Sequence, residues 1–219
     1  MNIKHSMILA VASAAMSLLC ASAALAQEAP APVSAADAQW AEFKAVTTCA
    51  WCHGQRGNSI SPIYPALAGQ KSWYIVEQLQ AFRAQTRRDP YAMAMMWGMA
   101  APLTDPQIAA LADYFSKQRP FASKPSPFLN HNAQISQGKS IYNEGIPATG
   151  VPPCSACHQA AAEGSDQFPR LAGQHALYTI KQLIALHNGS REQVVMNGVA
   201  APLKKSDMEA VAYYLESLR

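Results

Sequence analysis

Charge is scarce in this sequence, and neither sign dominates. Charged residues make up 14% of the 219, with 17 lysines and arginines against 14 aspartates and glutamates. No basic patch is concentrated anywhere, so the electrostatic footprint of a nucleic-acid binder is missing. Beyond the N-terminus there is no apolar run long enough to span a bilayer, which excludes an internal membrane span and leaves at most peripheral membrane association. Runs that alternate apolar and polar residues are absent too, which argues against a sheet. Cysteine is sparse, with Cys20 alone and the other four in two tight pairs.

What is present begins with a leader. Lys4 and His5 precede an apolar run from Met7 to Leu19, and Ala24-Leu25-Ala26 precedes the polar pair Gln27-Glu28. A charged start, an apolar stretch and an A-x-A site predict a secretory signal over residues 1–26, cleaved after Ala26, and hence export to the periplasm. An uncleaved anchor is the alternative, but the apolar run barely reaches spanning length. Cys20 would suit a lipoprotein only with a small residue before it, and Leu19 is not small. Loss of Lys4 leaves 16 basic and 14 acidic residues, a net charge of +2.

The remaining cysteines lie in Cys49-Ala50-Trp51-Cys52-His53 and Cys154-Ser155-Ala156-Cys157-His158. Each is C-x-x-C-H, the attachment signature of c-type haem. On a helical turn, residues three apart share a face. Two thiols so placed can form thioethers to one porphyrin, and the next histidine then falls under the iron as proximal ligand. A zinc ribbon would bring its pairs within roughly 15–20 residues, whereas about a hundred intervene here. A thioredoxin-like pair needs a βαβ context that is missing. Structural disulfides suit an exported chain but give no reason for the repeated histidine.

The two motifs belong to an internal repeat. Pro65-Ala66-Leu67-Ala68-Gly69-Gln70 matches Pro169-Arg170-Leu171-Ala172-Gly173-Gln174, and Ala100-Ala101-Pro102-Leu103 matches Ala200-Ala201-Pro202-Leu203. The offset falls from 105 through 104 to 100, so the first copy carries a few extra residues, placed mostly around Ala84–Tyr91. Between the copies, Gln118–Asn132 holds three prolines and reads as an extended linker. The expected organisation is a first domain at 27–117, the linker at 118–132 and a second domain at 133–219. Domains this small need help with their cores, and a buried haem in each supplies apolar contact.

Helical periodicity runs throughout. Ile75, Leu79 and Phe82 mark one face, and Ile108, Leu111, Ala112 and Phe115 another. Thr104 and Gln107 predict a capping box before the second of these helices. Ser206 and Glu209 offer one for the last helix, whose face is Met208, Val211, Ala212 and Leu215. The predicted fold class is all-α, as two tandem haem domains joined by the Pro-rich linker.

A haem with one histidine needs a partner on its other side. After the second motif only Met196 and Met208 are methionine. Met208 aligns with Ile108 on a buried helix face and reads as core, which leaves Met196, in a segment expected to be a loop. The offset of 100 carries Met196 back to Met96, with Gly198 on Gly98. Met96 is therefore the expected ligand in a stretch, "AMAMMWGMAAPL", that also holds Met93, Met95 and Met99. Those three are expected to pack around the haem edge. Histidine could serve instead, but His131 is in the linker, while His175 and His187 align with Lys71 and Arg83 and are expected on solvated faces.

With these residues in view, the chain resembles the dihaem cytochrome c4 family over nearly its whole mature length, each half being similar to a class I cytochrome c. The resemblance implies haem edges that face each other, axial pairs His53 with Met96 and His158 with Met196, and Pro65 and Pro169 as carbonyl acceptors for the proximal histidines. It implies an electron carrier rather than an enzyme, with two covalent haem c groups held by Cys49, Cys52, Cys154 and Cys157. Its partners would be redox proteins, a donor complex or dehydrogenase on one side and a terminal oxidase on the other. The alternatives are a subunit fixed to a periplasmic dehydrogenase, or a dihaem enzyme of the peroxidase or thiosulfate-oxidising type, which would need one iron without a firm sixth ligand.

Overall fold

The computed structural model describes residues 32–121 and 131–218. The predicted leader at 1–26, its cleavage site and Cys20 lie outside the described residues, as does the linker segment 122–130. What is described is helical, apart from a single antiparallel bridge between Ile146 and Val151. No described helix is long and apolar enough to cross a membrane.

The N-terminal lobe starts with α1 (Ala35–Lys44), capped by the Ser34 hydroxyl, which accepts from the Asp37 N–H at 3.1 Å. The chain passes without a break through a π-helical turn, Ala45–Cys49, into the short α2 (Ala50–His53). Then come α3 (Ser72–Arg83), a second π turn at Ala92–Met96 running into α4 (Trp97–Ala100), and α5 (Asp105–Ser116). The capping box expected at Thr104 and Gln107 is formed on α5. The terminal helices α1 and α5 cross, with Ala41 and Ala112 wholly buried in one core with Ile75, Phe82, Ile108, Leu111 and Phe115.

The C-terminal lobe repeats the plan with α6 (Asn132–Glu144), α7 (Ser155–His158), α8 (Ala176–His187), α9 (Val194–Ala200) and α10 (Lys205–Ser217). Here α6 crosses α10 at Gly138, where a Cβ would lie 2.0 Å from the Ala210 carbonyl oxygen. Glycine is required because the two backbones meet there. The predicted face of α10 is buried: Met208, Val211, Ala212 and Leu215 are each 5% exposed or less. The start of α10 departs from the expectation. Ser206 and Glu209 do not cap it, because the helix begins earlier, and the Asp207 carboxylate instead accepts from the Lys204 N–H at 3.1 Å.

The lobes pack on each other through side chains that the repeat relates. Arg87 and Arg191, each 7% exposed, both donate to Gln182 Oε1 and Gln78 Oε1, and Arg191 also donates to Tyr74 Oη at 2.6 Å. These contacts also place the extra residues of the first copy. Thr86 and Ser190 bond back to the Ala81 and Ala185 carbonyls, and the backbone N–H groups of Arg87 and Arg191 do the same, so the offset of 104 still holds there. The insertion therefore lies after Arg87 rather than across Ala84–Tyr91, and it feeds the π turn at Ala92–Met96. A π turn accommodates extra backbone inside a helix, and such turns concentrate at functional sites.

Candidate functional site

Each C-x-x-C-H motif sits on a single helical turn. In the N-terminal lobe that turn follows a π turn ending at Cys49, and in the C-terminal lobe it is α7, with Cys154 just before its first residue. None of these four cysteines is joined in a disulfide. No group of three or more His, Cys, Asp or Glu side chains is gathered in metal-binding geometry among the described residues. Burial pushes the Cys49 thiol above its ordinary pKa and the Cys154 thiol up to about 11.

The two histidines are placed alike. His53 Nδ1 donates to the Pro65 carbonyl at 2.9 Å, and His158 Nδ1 donates to the Pro169 carbonyl at 3.0 Å. Burial lowers both pKa values, against the raising effect of those carbonyls, so both rings are held neutral. Neither Nε2 has a hydrogen-bond partner among the described residues. A neutral imidazole with Nδ1–H committed and Nε2 free is what a metal-ligating histidine requires.

The repeated P-x-L-A-G-Q motif accounts for the carbonyls. Leu67 and Ala68 both donate to the Gly57 carbonyl, and Leu171 and Ala172 both donate to the Ala162 carbonyl. Gly69 and Gly173 take left-handed φ of +66° and +72°, which turns the chain so that their N–H groups bond the Phe115 and Leu215 carbonyls at the ends of α5 and α10. The proline carbonyl is thus held by backbone bonds from the Leu, Ala and Gly that follow it.

The methionines separate by burial. Met93, Met95 and Met99 are 48%, 46% and 41% exposed, whereas Met96 packs on the N-terminal core. Met196 packs with Leu183, Leu203 and Met208, and Met208 itself is core at 3% exposure. Both candidate ligands lie in helical turns rather than loops, Met96 closing its π turn and Met196 inside α9. The expectation of a loop fails because Asp89 starts the first turn by accepting from the Ala92 N–H, and Asn197 ties the second to the Leu186 and Arg191 carbonyls. Gly98 and Gly198 keep helical backbone, and a Cβ on either meets no atom within 4 Å.

The other histidines divide differently from expectation. His187 is exposed and donates to the Ala200 carbonyl. His131 stacks on Tyr213, with ring centroids 3.7 Å apart. His175 is not on a solvated face. It is 7% exposed, its Nε2 donates to the Ser59 carbonyl of the other lobe at 2.9 Å, and its Nδ1 lies 3.5 Å from Glu216. Alignment with Lys71 hid this, because the partner that buries His175 comes from the opposite lobe. The lobe interface is also where sequence reasoning missed most: nothing in one copy marks Arg87, Arg191, Gln70 or Gln174 as cross-lobe groups.

The donor set fits c-type haem in both lobes: two cysteines on one helical turn, a neutral histidine on a fixed carbonyl, and a partly buried methionine, Met96 or Met196. The cytochrome c family pattern matches twice, over residues 41–118 and 135–219. A cytochrome c-552 of Acidithiobacillus ferridurans is 40% identical over 195 residues, 89% of this chain and 83% of that protein. The solved cytochrome c4 of Acidithiobacillus ferrooxidans superimposes with a TM-score of 0.72 at 40% identity, over 78% of this chain and 98% of that one. A thiosulfate dehydrogenase electron acceptor of Thiomonas intermedia is 36% identical over 187 residues, 83% of each protein. With two cytochrome c units in one helical chain and relatives alike over most of their length, the chain belongs to the dihaem cytochrome c4 family of electron carriers, with two covalently bound haem c groups.

Proposed function

We propose that this chain is an exported carrier that takes electrons from a respiratory donor and passes them to a terminal acceptor such as an oxidase. Cys49 and Cys52, and Cys154 and Cys157, would hold the two haems through thioethers. His53 with Met96, and His158 with Met196, would hold the irons. The observation that carries this reading is the matched pair of histidines, each buried, neutral and bonded through Nδ1 to a proline carbonyl at 2.9 or 3.0 Å.

When bound, each haem supplies a one-electron couple at its iron. The chain's own residues decide how that couple behaves. Pro65 and Pro169 orient the imidazoles and raise their basicity. Burial of the histidines and of the cores of α3, α5, α8 and α10 keeps water from the ligand side. Thioether sulfur as the second ligand raises the potential relative to two histidines. With a histidine and a methionine holding each iron, no position would be left for substrate, and this favours transfer over catalysis.

The test is a side-by-side comparison of Met96→His and Met95→His in the haem-loaded chain. Met96→His should abolish the weak far-red Met–Fe(III) band of one haem, and Met95→His should leave it. The reverse result would overturn the assignment of Met96. A high-spin signal at either haem of the unaltered chain would overturn six-coordinate ligation.

A second reading, service to a thiosulfate dehydrogenase, is favoured by the likeness to the Thiomonas intermedia protein that is named an acceptor for that enzyme. Stopped-flow reduction by a thiosulfate dehydrogenase with thiosulfate, compared with oxidation by a terminal oxidase, separates the two partners. Rapid reduction by the dehydrogenase would support that service, and fast turnover with the oxidase alone would favour the respiratory role.

A further inference from the structure

The proline carbonyls belong to peptide groups whose N–H ends are bound by the opposite lobe. The Pro65–Ala66 peptide accepts from His53 Nδ1 through its oxygen, and its N–H, on Ala66, donates to Gln174 Oε1 at 2.9 Å. The Pro169–Arg170 peptide accepts from His158 Nδ1, and its N–H donates to Gln70 Oε1 at 2.9 Å. Each glutamine closes the clamp with its amide group: Gln174 Nε2 donates to the Ala66 carbonyl at 3.0 Å, and Gln70 Nε2 donates to the Arg170 carbonyl at 2.9 Å. The amide orientation is fixed in both cases, because Oε1 also accepts from the next backbone N–H, of His175 or Lys71.

This arrangement gives the last residue of P-x-L-A-G-Q a role that nothing inside its own lobe requires. A peptide is one conjugated unit. A hydrogen bond at its N–H places more negative charge on its carbonyl oxygen, and bonds linked in this way strengthen one another by roughly 10–30%. A more negative carbonyl draws the Nδ1 proton harder and makes the imidazole a stronger electron donor to its metal. Stronger donation favours the oxidised iron.

We propose that each glutamine tunes the proximal ligand of the other lobe, Gln174 acting on His53 and Gln70 on His158. The inference rests on the reading of those histidines as haem ligands. Gln174 and Gln70 are positioning residues, since neither touches the ligand itself. Tuning is crossed, so the potential of each haem depends on a residue carried by its neighbour, and separation of the lobes raises both potentials together.

The experiment uses the full haem-loaded chain and its Gln174→Leu and Gln70→Leu variants. Redox titration is followed by the hyperfine-shifted haem NMR signals. Each signal is assigned to a lobe by contacts to Tyr64 or Phe168, which sit edge-on to His53 and His158. Gln174→Leu should raise the ferrous-to-ferric ratio of the N-terminal haem about threefold at fixed potential, ~28 mV at ~59 mV per decade for one electron. The C-terminal haem should stay where it was, and Gln70→Leu should do the converse. Gln174→Glu keeps an acceptor oxygen and should not raise the N-terminal haem. Equal shifts at both haems, a shift confined to the substituted lobe, or no shift would overturn the proposal. Failure of the unaltered chain to give two low-spin one-electron couples would overturn the ligand reading beneath it, and with it the tuning.

Discussion

Arg87 and Arg191 hold the lobe interface together through the same two acceptors, Gln78 Oε1 and Gln182 Oε1, yet their surroundings differ in one respect. Arg87 pairs with Asp89 at 2.8 Å, both side chains being at most 7% exposed, whereas Arg191 has no ion-pair partner among the described residues. Two residues after Arg191 stands Gln193, a neutral side chain whose amide reaches Glu77 Oε1 instead. The repeat is symmetric in its hydrogen bonds and asymmetric in its charge.

That asymmetry predicts unequal costs. Arg87→Met leaves the Asp89 carboxylate buried without its cation and should cost ~3–5 kcal/mol. Arg191→Met leaves only neutral acceptors and should cost about 1–2 kcal/mol. Urea unfolding of the haem-loaded variants, with the midpoint and slope both fitted, reads the difference. Equal losses would show that Asp89 does not need Arg87.

The crossing of α6 and α10 makes a second prediction. A methyl group at Gly138 would press on the Ala210 carbonyl at 2.0 Å, and neither backbone can give way without moving a helix. Gly138→Ala should destabilise the C-terminal lobe by about 3 kcal/mol, despite the better helix propensity of alanine. Thermal unfolding followed at the haem band would show it, and an unchanged midpoint would mean that the helices cross further apart than described.

Stability should also depend on pH through His175 and Glu216. The hydrogen bond to Glu216, and then the Ser59 carbonyl, hold His175 above its ordinary pKa against the lowering effect of burial. Burial pushes the Glu216 carboxyl up, but the His175 and Ala176 hydrogen bonds and nearby His131 outweigh it, so the net shift is downward. The histidine contribution is complete below about pH 6.5, the ordinary histidine value, and fades as pH rises through the raised one. The glutamate contribution is complete above its ordinary value of 4.5 and fades as pH falls through the lowered one. The pair therefore stabilises the lobe interface most between those limits. Urea midpoints should fall between about pH 5.5 and about pH 8.5, and His175→Gln should flatten that fall. A variant that kept the full dependence would assign it elsewhere.

Much of this protein was legible in one dimension because its chemistry is local. Two thiols and a histidine on one helical turn need no distant partner to announce a haem. The faces of α5 and α10 followed from a 3.6-residue period, and the repeat itself separated Met96 from Met93, Met95 and Met99. Of the four, Met96 packs on the N-terminal core, while Met93, Met95 and Met99 are exposed.

The misreadings share a cause. The position of the insertion after Arg87, the π turn that absorbs it, the earlier start of α10 and the burial of His175 all depend on backbone or side-chain partners far away in sequence. His175 and Lys71 look equivalent in a pairwise match. The match cannot register that Ser59 of the opposite lobe lies against only one of them.

By itself the sequence determined the helical class, the two haem attachment turns and the duplication, and it supplied the proposal of one histidine and one methionine as ligands in each copy. These depend on spacing along the chain, which folding does not alter. The tertiary structure alone decided how the copies meet: the two arginines on shared glutamines, the buried His175 on the Ser59 carbonyl, and Gln70 and Gln174 clamped onto the peptides that hold the opposite histidines. Those contacts join residues about a hundred positions apart. Their existence depends on the two lobes packing with the repeated motifs face to face, a choice that no periodicity or motif within either copy can encode.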